Sequence, residues 1–269
     1  MRSLKKLPQI SDVGAGNSIT IRVPVGKTID RIFLNYANVT LAQMKNIRLE
    51  LNGNLHSEYK TAEDLQKFSV DYFQRNNETD RLVFDFNQDD VLKTVEEGRF
   101  FGLGTAGLST VTITMDIDAA ATGVTLEAYA ETSAPTPPGW LSKFRNWNFS
   151  ASAAGILEID SLPKPAGASI ARIHVVSAAA INSAVFEIDG TKWIDAPKSV
   201  IDGQLKDYGR TPQAGALTLD FVLQGDIKHA VPMLDGKTIQ DMRLKLDMAE
   251  AGQVTIYVEY IDQWTPNGF

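Results

Sequence analysis

The chain has 269 residues, 43% of them hydrophobic and 22% charged, which suits either one large folded domain or two smaller ones and argues against disorder. It contains no cysteine, which excludes disulfides, thiolate metal sites and a cysteine nucleophile. The formal net charge of −7 disfavours a surface that wraps nucleic acid, because affinity for phosphates depends largely on lysine and arginine.

The N-terminal segment, residues 1–16, is basic and short of strand signals. Arg2, Lys5 and Lys6 alternate with Leu4 and Leu7, without the apolar run of a secretory signal. We expect synthesis in the cytoplasm. The segment is interpreted either as a frayed terminus or as an arm that orders only on meeting a neighbouring subunit or an anionic membrane.

Short strands separated by turns follow from residue 17 onward. Residues 18–23 alternate apolar and polar side chains, and residues 47–51 do the same before the turn dipeptide Asn52–Gly53. The same pattern predicts further strands at 82–86, 111–115, 124–126, 242–246 and 254–258. Many short alternating strands with turns indicate sandwiches or barrels.

A helix is predicted at one place in each half of the chain. Thr61 and Asp64 resemble a helix start, and apolar residues follow at helical spacing through Phe73. Residues 198–208 are the counterpart in the second half, and residues 89–97 are predicted as a further short helix.

Residues 133–140 are predicted to be a linker, because three prolines within this stretch cannot continue a central strand. The aromatic residues that follow are interpreted as anchors that begin the second half. Their alternative interpretation is a platform for a carbohydrate or aromatic ligand. They are Trp140, Phe144, Trp147 and Phe149.

The first half of the sequence resembles the second half, which indicates an internal duplication. Six short segments recur in the same order, and the spacing between copies falls from 141 to 130 residues along the chain. Examples are Ile29–Ile32 with Ile170–Ile173, and Leu82–Phe86 with Leu217–Phe221. This spacing is far longer than a solenoid repeat of about 20–50 residues, so each copy is the size of a domain.

Motifs for catalysis are weak. His56, His174 and His229 lie in separate segments without metal-ligand spacing, so a structural or surface role is predicted for each. Residues 102–107 superficially resemble a dinucleotide-binding fingerprint, but a strand follows them rather than a helix. We therefore expect no enzymatic activity.

Acidic residues are the candidate ligands for a metal ion. Asp85, Asn87, Asp89 and Asp90 lie together at a predicted strand end, and their oxygens suit a hard cation such as Ca²⁺. Asp89 and Asp90 are the speculative Ca²⁺ ligands, as a structural ion. The simpler interpretation is a set of solvated turn carboxylates, which also applies to Asp116 and Asp118.

Two tandem antiparallel β domains, each with a helix in the same connection, resemble the double jelly-roll major capsid proteins of tailless icosahedral viruses. Segments such as Ile29–Leu34 and Leu49–Gly53 most resemble the corticovirus type, from marine bacteriophages with an internal membrane. The resemblance spans nearly the whole chain. It implies an all-β fold of two tandem eight-stranded jelly rolls, at 17–132 and 141–269, each with a short helix in an inter-strand connection.

The resemblance also implies a function. Three chains would form a homotrimer with six similar barrels and a nearly hexagonal outline, which would tile an icosahedral capsid over an internal membrane. The expected partners are other copies, minor capsid and membrane proteins and the inner viral membrane, without direct contact to nucleic acid. Arg2, Lys5 and Lys6 would face inward or clasp a neighbour, and the protein would reside in the virion.

Two other functions stay open at this stage. A secreted two-domain carbohydrate-binding protein would use Trp140, Trp147 and Trp264 for stacking. A double jelly-roll hydrolase would need convergent carboxylates, for which Asp85 and Asp220 are the candidates.

Overall fold

The structure is a computed structural model, and it describes residues 2–87, 100–233 and 239–266. The chain divides into two compact units. The first contains Met1–Phe144 together with Gln263–Phe269, and the second contains Arg145–Asp262. The first unit therefore takes in both the N-terminal segment 1–16 and the end of the chain.

The first unit is built from two antiparallel sheets. One has the strand order β1-β9-β3-β6, with the short β7 also paired to β3, and the other has the order β2-β8-β4-β5. The strands are β1 (Ser3–Lys6), β2 (Ser18–Arg22), β3 (Thr28–Ala37), β4 (Met44–Leu51), β5 (Asn54–Thr61), β6 (Arg81–Asp85), β7 (Leu103–Gly104), β8 (Val111–Ile117) and β9 (Thr125–Ser133).

The second unit repeats this plan. Its sheets have the orders β10-β18-β12-β15, with β16 also paired to β12, and β11-β17-β13-β14. The strands are β10 (Trp140–Ala151), β11 (Gly155–Ile159), β12 (Ser169–Ser177), β13 (Ile181–Ile188), β14 (Thr191–Pro197), β15 (Ala216–Asp220), β16 (Val231–Pro232), β17 (Met242–Met248) and β18 (Gly252–Gln263).

The strand order identifies both units as jelly rolls. Apart from the short β7 and β16, the described residues of each unit form eight strands, and the first, eighth, third and sixth strands form one sheet. The second, seventh, fourth and fifth strands form the other. Two four-stranded sheets connected in this way are the jelly-roll arrangement, so the predicted fold class is confirmed.

The N-terminal segment is not a free arm. Ser3–Lys6 forms β1, which pairs with Tyr129–Thr132 of β9 and is the first strand of the first jelly roll. The expectation that residues 1–16 order only on contact with a neighbour or a membrane is therefore corrected. Four residues are too few to show a clear apolar period, so the sequence did not reveal this strand.

The cores follow the alternation that predicted the strands. In β8, Val111, Ile113 and Met115 are buried while the residues between them are partly exposed. In the second unit, one cluster of buried residues draws on both sheets and includes Ile173 and Leu244. Each jelly roll thus has its own apolar core between its sheets.

The two predicted helices are present at equivalent places. In the first unit, α1 (Ala62–Gln66) begins after Thr61, whose side chain accepts a 3.2 Å hydrogen bond from the backbone N–H of Asp64. A π-helical turn, Lys67–Asp71, extends α1. In the second unit, α2 (Lys198–Asp207) buries Ile201 and Leu205.

The remaining helical segments are short. The described part of the chain has two 3-10 turns, Leu41–Gln43 and Ile227–His229. The further helix predicted at 89–97 lies outside the described residues. Among the helices that the structure describes, none is long and apolar enough to span a membrane.

Matching hairpin turns join the fourth and fifth strands of each unit. Asn52–Gly53 and Asp189–Gly190 have positive φ at both residues, of 51° and 77° and of 47° and 79°. The side-chain oxygen of the first residue accepts two backbone hydrogen bonds in each case, from residues 109–110 and from residues 240–241. The predicted turn is confirmed, and so is its repetition.

The proline-rich linker is held against the first unit. β9 ends at Ser133 and β10 begins at Trp140. Thr28 Oγ1 donates to the carbonyl of Ala134 at 2.6 Å, and a Cβ atom on Gly104 would lie 2.2 Å from the Pro137 carbonyl. The glycine-rich loop at 102–107 therefore serves close packing of the linker.

Replacing Thr61 with alanine should destabilise the protein by about 1 kcal/mol, because the first turn of α1 loses its side-chain cap. Thr61→Ser is the matched control, since its hydroxyl can accept the same hydrogen bond from Asp64. The free energy of unfolding in urea is the measurement. Equal stability of the two variants would show that the cap contributes nothing.

Candidate functional site: strand edges and buried charges

An arginine occupies the same irregular position in both units. The pairing of β3 with β9 shifts register between Ile29 and Arg31, and the pairing of β12 with β18 shifts between Ile170 and Arg172. Each irregularity is typical of a β-bulge, which redirects a side chain.

The partners of the two arginines also correspond. Arg31 lies opposite Asp85 on one neighbouring strand and Glu131 on the other. Arg172 lies opposite Asp220 and Glu259 in the same way. The duplication therefore extends to a set of one cation and two carboxylates.

In the second unit this set is a buried ion triad. Arg172 donates to Asp220 at 2.9 Å and to Glu259 at 2.6 Å, and the three side chains are 1%, 0% and 2% exposed. Asp220 also accepts a hydrogen bond from the backbone N–H of Val222 at 2.9 Å. Such pairing is what makes three buried charges tolerable.

In the first unit the equivalent arginine and one of its two carboxylates are more exposed to solvent. Arg31, whose side chain is 33% exposed, donates to Asp85 at 2.9 Å, and Arg75 lies 3.4 Å from the same carboxylate. Glu131 instead pairs with Arg2 at 2.6 Å. The charges of the first copy are thus divided between two smaller groups.

These contacts decide the role of Asp85. Two arginines hold its carboxylate, and the backbone N–H of Asn87 donates to it at 3.0 Å, so its oxygens stabilise the strand end. Its counterpart Asp220 is held by Arg172 and by the backbone N–H of Val222. Asp85 lines a surface pocket together with Arg31 and Arg75, but these two arginines and the backbone N–H of Asn87 occupy its oxygens.

The predicted Ca²⁺ ligands Asp89 and Asp90 lie outside the described residues. Within residues 2–87, 100–233 and 239–266, no group of three or more His, Cys, Asp or Glu side chains is arranged to hold a metal ion. The Ca²⁺ site therefore stays a prediction.

Asp116 and Asp118, at the end of β8 and just after it, accept hydrogen bonds from side chains of the first unit. Asp116 accepts hydrogen bonds from Ser18 at 2.6 Å and from Asn46 at 2.8 Å, which lower the pKa of its carboxyl group. A hydrogen bond from Lys45 likewise lowers the pKa of Asp118. Both carboxylates are occupied by protein donors.

The three histidines lie in separate elements. His174 is fully buried in β12, 2.9 Å from the hydroxyl of Thr218, and burial followed by the charge of Arg172 lowers its pKa to about 3. His56 is buried beside Ser57 in β5, and His229 is exposed in a 3-10 turn. A buried neutral imidazole in a strand serves packing.

The edge strand β5 of the first unit is covered. The backbone N–H of Phe144 donates to Ser57 at 3.2 Å, and the Phe144 ring lies 5.2 Å from the ring of Tyr59. Asn54 donates to the carbonyl of Pro266 at 2.7 Å. Residues 141–144 and the end of the chain therefore close this edge.

The corresponding edge strand of the second unit, β14, is open among the described residues. It pairs with β13 on one side and ends its sheet on the other. Trp193, in the middle of β14, is 48% exposed. A half-exposed tryptophan on a sheet edge is typical of a protein-binding surface.

The three basic residues of the N-terminal segment lie on and beside β1. Arg2 pairs with Glu131 at 2.6 Å, and Lys6 pairs with Glu127 at 2.7 Å, a hydrogen bond that raises the pKa of Lys6. Lys5 and Leu4 are exposed. Contact of this segment with a neighbouring chain or a membrane stays a prediction.

Of the tryptophans that suggested carbohydrate binding, Trp140 and Trp264 lie beside the linker, and Trp147 lies in the second unit. Trp140 is 36% exposed at the start of β10, and the backbone N–H of Trp264 donates to the carbonyl of Gly139. Trp147 packs edge-on against Tyr260 in the second unit.

Two jelly rolls of identical strand order in one chain are the arrangement of the double jelly-roll viral coat proteins. Residues 4–133 match the family model of the viral coat protein P2 N-terminal domain, and residues 141–264 match that of the C-terminal domain. The chain belongs to the viral coat protein P2 family.

Individual relatives agree with this assignment. The chain is 41% identical over 274 residues to the major capsid protein P2 of Pseudoalteromonas phage PM2, with all of both chains covered. It also matches the crystal structure of the major capsid protein P2 from bacteriophage PM2, with a TM-score of 0.95, 40% identity and full coverage of both chains.

More distant structures share the fold alone. A chain in the atomic structure of Sulfolobus turreted icosahedral virus has a TM-score of 0.71 at 12% identity, covering 97% of this chain and 90% of that one. The family assignment makes the protein a major capsid protein of the virion shell, a non-enzymatic role, and does not favour the carbohydrate-binding alternative.

Replacing Arg172 with methionine should destabilise the protein by about 3–5 kcal/mol, because Asp220 and Glu259 stay buried without their cation. Arg31→Met is the matched control from the other copy. It should cost about 1 kcal/mol, since Arg31 is partly exposed, Asp85 keeps Arg75 and Glu131 keeps Arg2. Urea denaturation measures both, and equal losses would contradict the difference between the two sets.

His174 should make the protein less stable as the pH falls. Its pKa is about 3 in the folded chain against an ordinary value of 6.5, so the unfolded chain binds the proton first and stability is lost from pH 6.5 downward. Between pH 7 and pH 5 the loss should be about 2 kcal/mol. The His174→Gln variant should lack this component in urea denaturation, and an unchanged pH dependence would contradict the assignment.

Proposed function

We propose that three copies of this chain associate into a capsomer with six jelly rolls around one axis, which tiles a closed icosahedral shell over an internal membrane. The observation that carries the proposal is the internal duplication, because two similar jelly rolls per chain give a three-fold molecule a nearly hexagonal outline. The full-length similarity to the major capsid protein P2 of phage PM2 supports it.

The surfaces of the chain fit repeated self-association. Closed cyclic symmetry is the commonest arrangement of soluble oligomers, and a contact between two different surface patches closes into a ring when its rotation permits. The open edge of β14 is one such patch. The net charge of −7 supports a shell protein that does not contact the nucleic acid directly.

Further partners complete the proposal. Minor capsid proteins and membrane proteins of the virion would occupy positions that the shell leaves open, and the inner face would lie over the viral membrane. Asp89 and Asp90 would hold Ca²⁺ as a structural ion that ties loops or subunits together. This use of Ca²⁺ rests on the chemistry of carboxylate ligands alone.

The solution mass of the purified protein tests the trimer. Size-exclusion chromatography with light scattering should give about 88 kDa, three times the 29.5 kDa chain. The run is repeated at a series of protein concentrations, with Ca²⁺ and with a chelator. A mass of one chain under all these conditions would contradict the proposal.

A further inference from the structure

We propose that the exposed edge of β14, centred on Trp193, is covered by the N-terminal strand β1 of a second copy of this chain, with Leu4 of that copy against the edge. The inference rests on the proposed trimer and names the surfaces that build it. The two jelly rolls differ in the cover of one equivalent edge strand.

The same backbone irregularity marks both edge strands. In the first unit, Leu49 pairs with Ser57 and Glu50 with Leu55, so His56 is the extra residue of β5. In the second unit, Phe186 pairs with Ile194 and Glu187 with Lys192, so Trp193 is the extra residue of β14. His56 and Trp193 are therefore equivalent positions, each on the bulged edge strand of its jelly roll.

The two equivalent residues differ in exposure. His56 is 4% exposed and Trp193 is 48% exposed. Burial also extends to Ser57 and Tyr59 of β5, whereas the residues of β14 are exposed or half-buried. What separates the two edges is the cover that the first one has.

The cover of the first edge indicates what covers the second. Residues 141–144, which contact β5, are the start of β10, the strand that holds the first place in its sheet. The strand in the equivalent place of the other jelly roll is β1. Because the two jelly rolls are equivalent, β1 of a second copy should cover the edge of β14 as the start of β10 covers the edge of β5.

β1 has the properties of such a cover. Leu4 is 63% exposed, although it is a large apolar residue within a strand. Leu4 would pack against Trp193, since the equivalent residue of the first unit, His56, lines a small pocket together with Leu141 and Lys143 at the start of β10. Burial of both apolar side chains would favour the contact.

The charges of the two surfaces are complementary. Residues 2–6 contain three cations, Arg2, Lys5 and Lys6, and no acid. Residues 189–195 contain two exposed acids, Asp189 and Asp195, and one cation, Lys192. Arg2 and Lys6 already pair with Glu131 and Glu127, and Lys192 pairs with Asp195. The attraction between the two surfaces therefore rests on Lys5 and Asp189, whose unlike charges favour this pairing over a contact of like patches.

The contact is head-to-tail, because each chain offers one β1 and one β14 edge. A contact between two different patches leaves one of each unsatisfied in any open chain, and closing the ring satisfies both. A ring of three chains is the closed form that the proposed capsomer requires.

The natural absence of cysteine permits a direct test by crosslinking. The double variant Leu4→Cys/Trp193→Cys should form disulfides between chains on oxidation, giving dimer and trimer bands on a non-reducing gel. The two thiols bond only where their Cα atoms approach within about 7 Å. A second pair, Lys5→Cys/Trp193→Cys, with a short bismaleimide tests the same contact without the strict disulfide geometry.

The single variants are the controls. Each should remain a single band, and crosslinking of Trp193→Cys alone would show a two-fold contact and overturn the inference. A crosslink within one chain, which leaves the mass unchanged, would overturn it as well. If light scattering shows a trimer while neither pair crosslinks between chains, the inference fails and the proposed trimer stands. A monomeric parent protein would contradict the trimer itself.

Loss of the apolar contact provides an independent measurement. Trp193→Lys should weaken association roughly 30-fold, as expected for removal of a buried aromatic anchor. Val200→Lys is the matched control, because Val200 is 58% exposed on α2 of the same unit. Equal association of the two variants, followed by light scattering across a concentration series, would overturn the inference.

Discussion

Each jelly roll depends on an arginine placed at a bulge between its third and last strands. Arg172 bonds carboxylates on both neighbouring strands, so that three strands distant in sequence are tied by charge as well as by backbone hydrogen bonds. Arg31 lies opposite the equivalent carboxylates and bonds the one on β6, Asp85. A one-residue slip of either neighbour would separate the charges and place a carboxylate against apolar groups. The arrangement therefore specifies strand register, and the sheets, cores and edges follow from that register.

The two jelly rolls share their backbone geometry but differ in the side chains around it. The hairpin turns at Asn52 and Asp189 use the same backbone conformation and accept the same pair of hydrogen bonds. In contrast, the charge set is closed around Arg172 and divided around Arg31, and the bulge residue is His56 in one copy and Trp193 in the other. Backbone geometry is thus shared, while exposed and half-exposed side chains have become specific to each copy.

Much of the fold could be predicted from the sequence, because strand alternation, the turn dipeptides and the Thr61 cap are local signals. The repeat even paired Arg31 with Arg172 and Asp85 with Asp220, but it could not show that these residues contact each other, since their partners are about 50 residues away in sequence. Asp85 consequently looked like a possible ligand. β1 was missed because its place in the sheet is fixed by β9, more than 120 residues later. The exposure of Trp193 likewise depends on which segments cover an edge, a property of the assembled fold.

The first unit contains residues from both ends of the chain, and this has a consequence for synthesis. Asn54 receives its partner from Pro266, and Trp264 is held by the carbonyl of Gly139, so part of the cover over β5 is translated after the second unit. Until these residues have been made, the edge of β5 stays partly uncovered, together with the apolar groups beside it. Synthesis of the second unit therefore precedes concealment of the edge strand of the first.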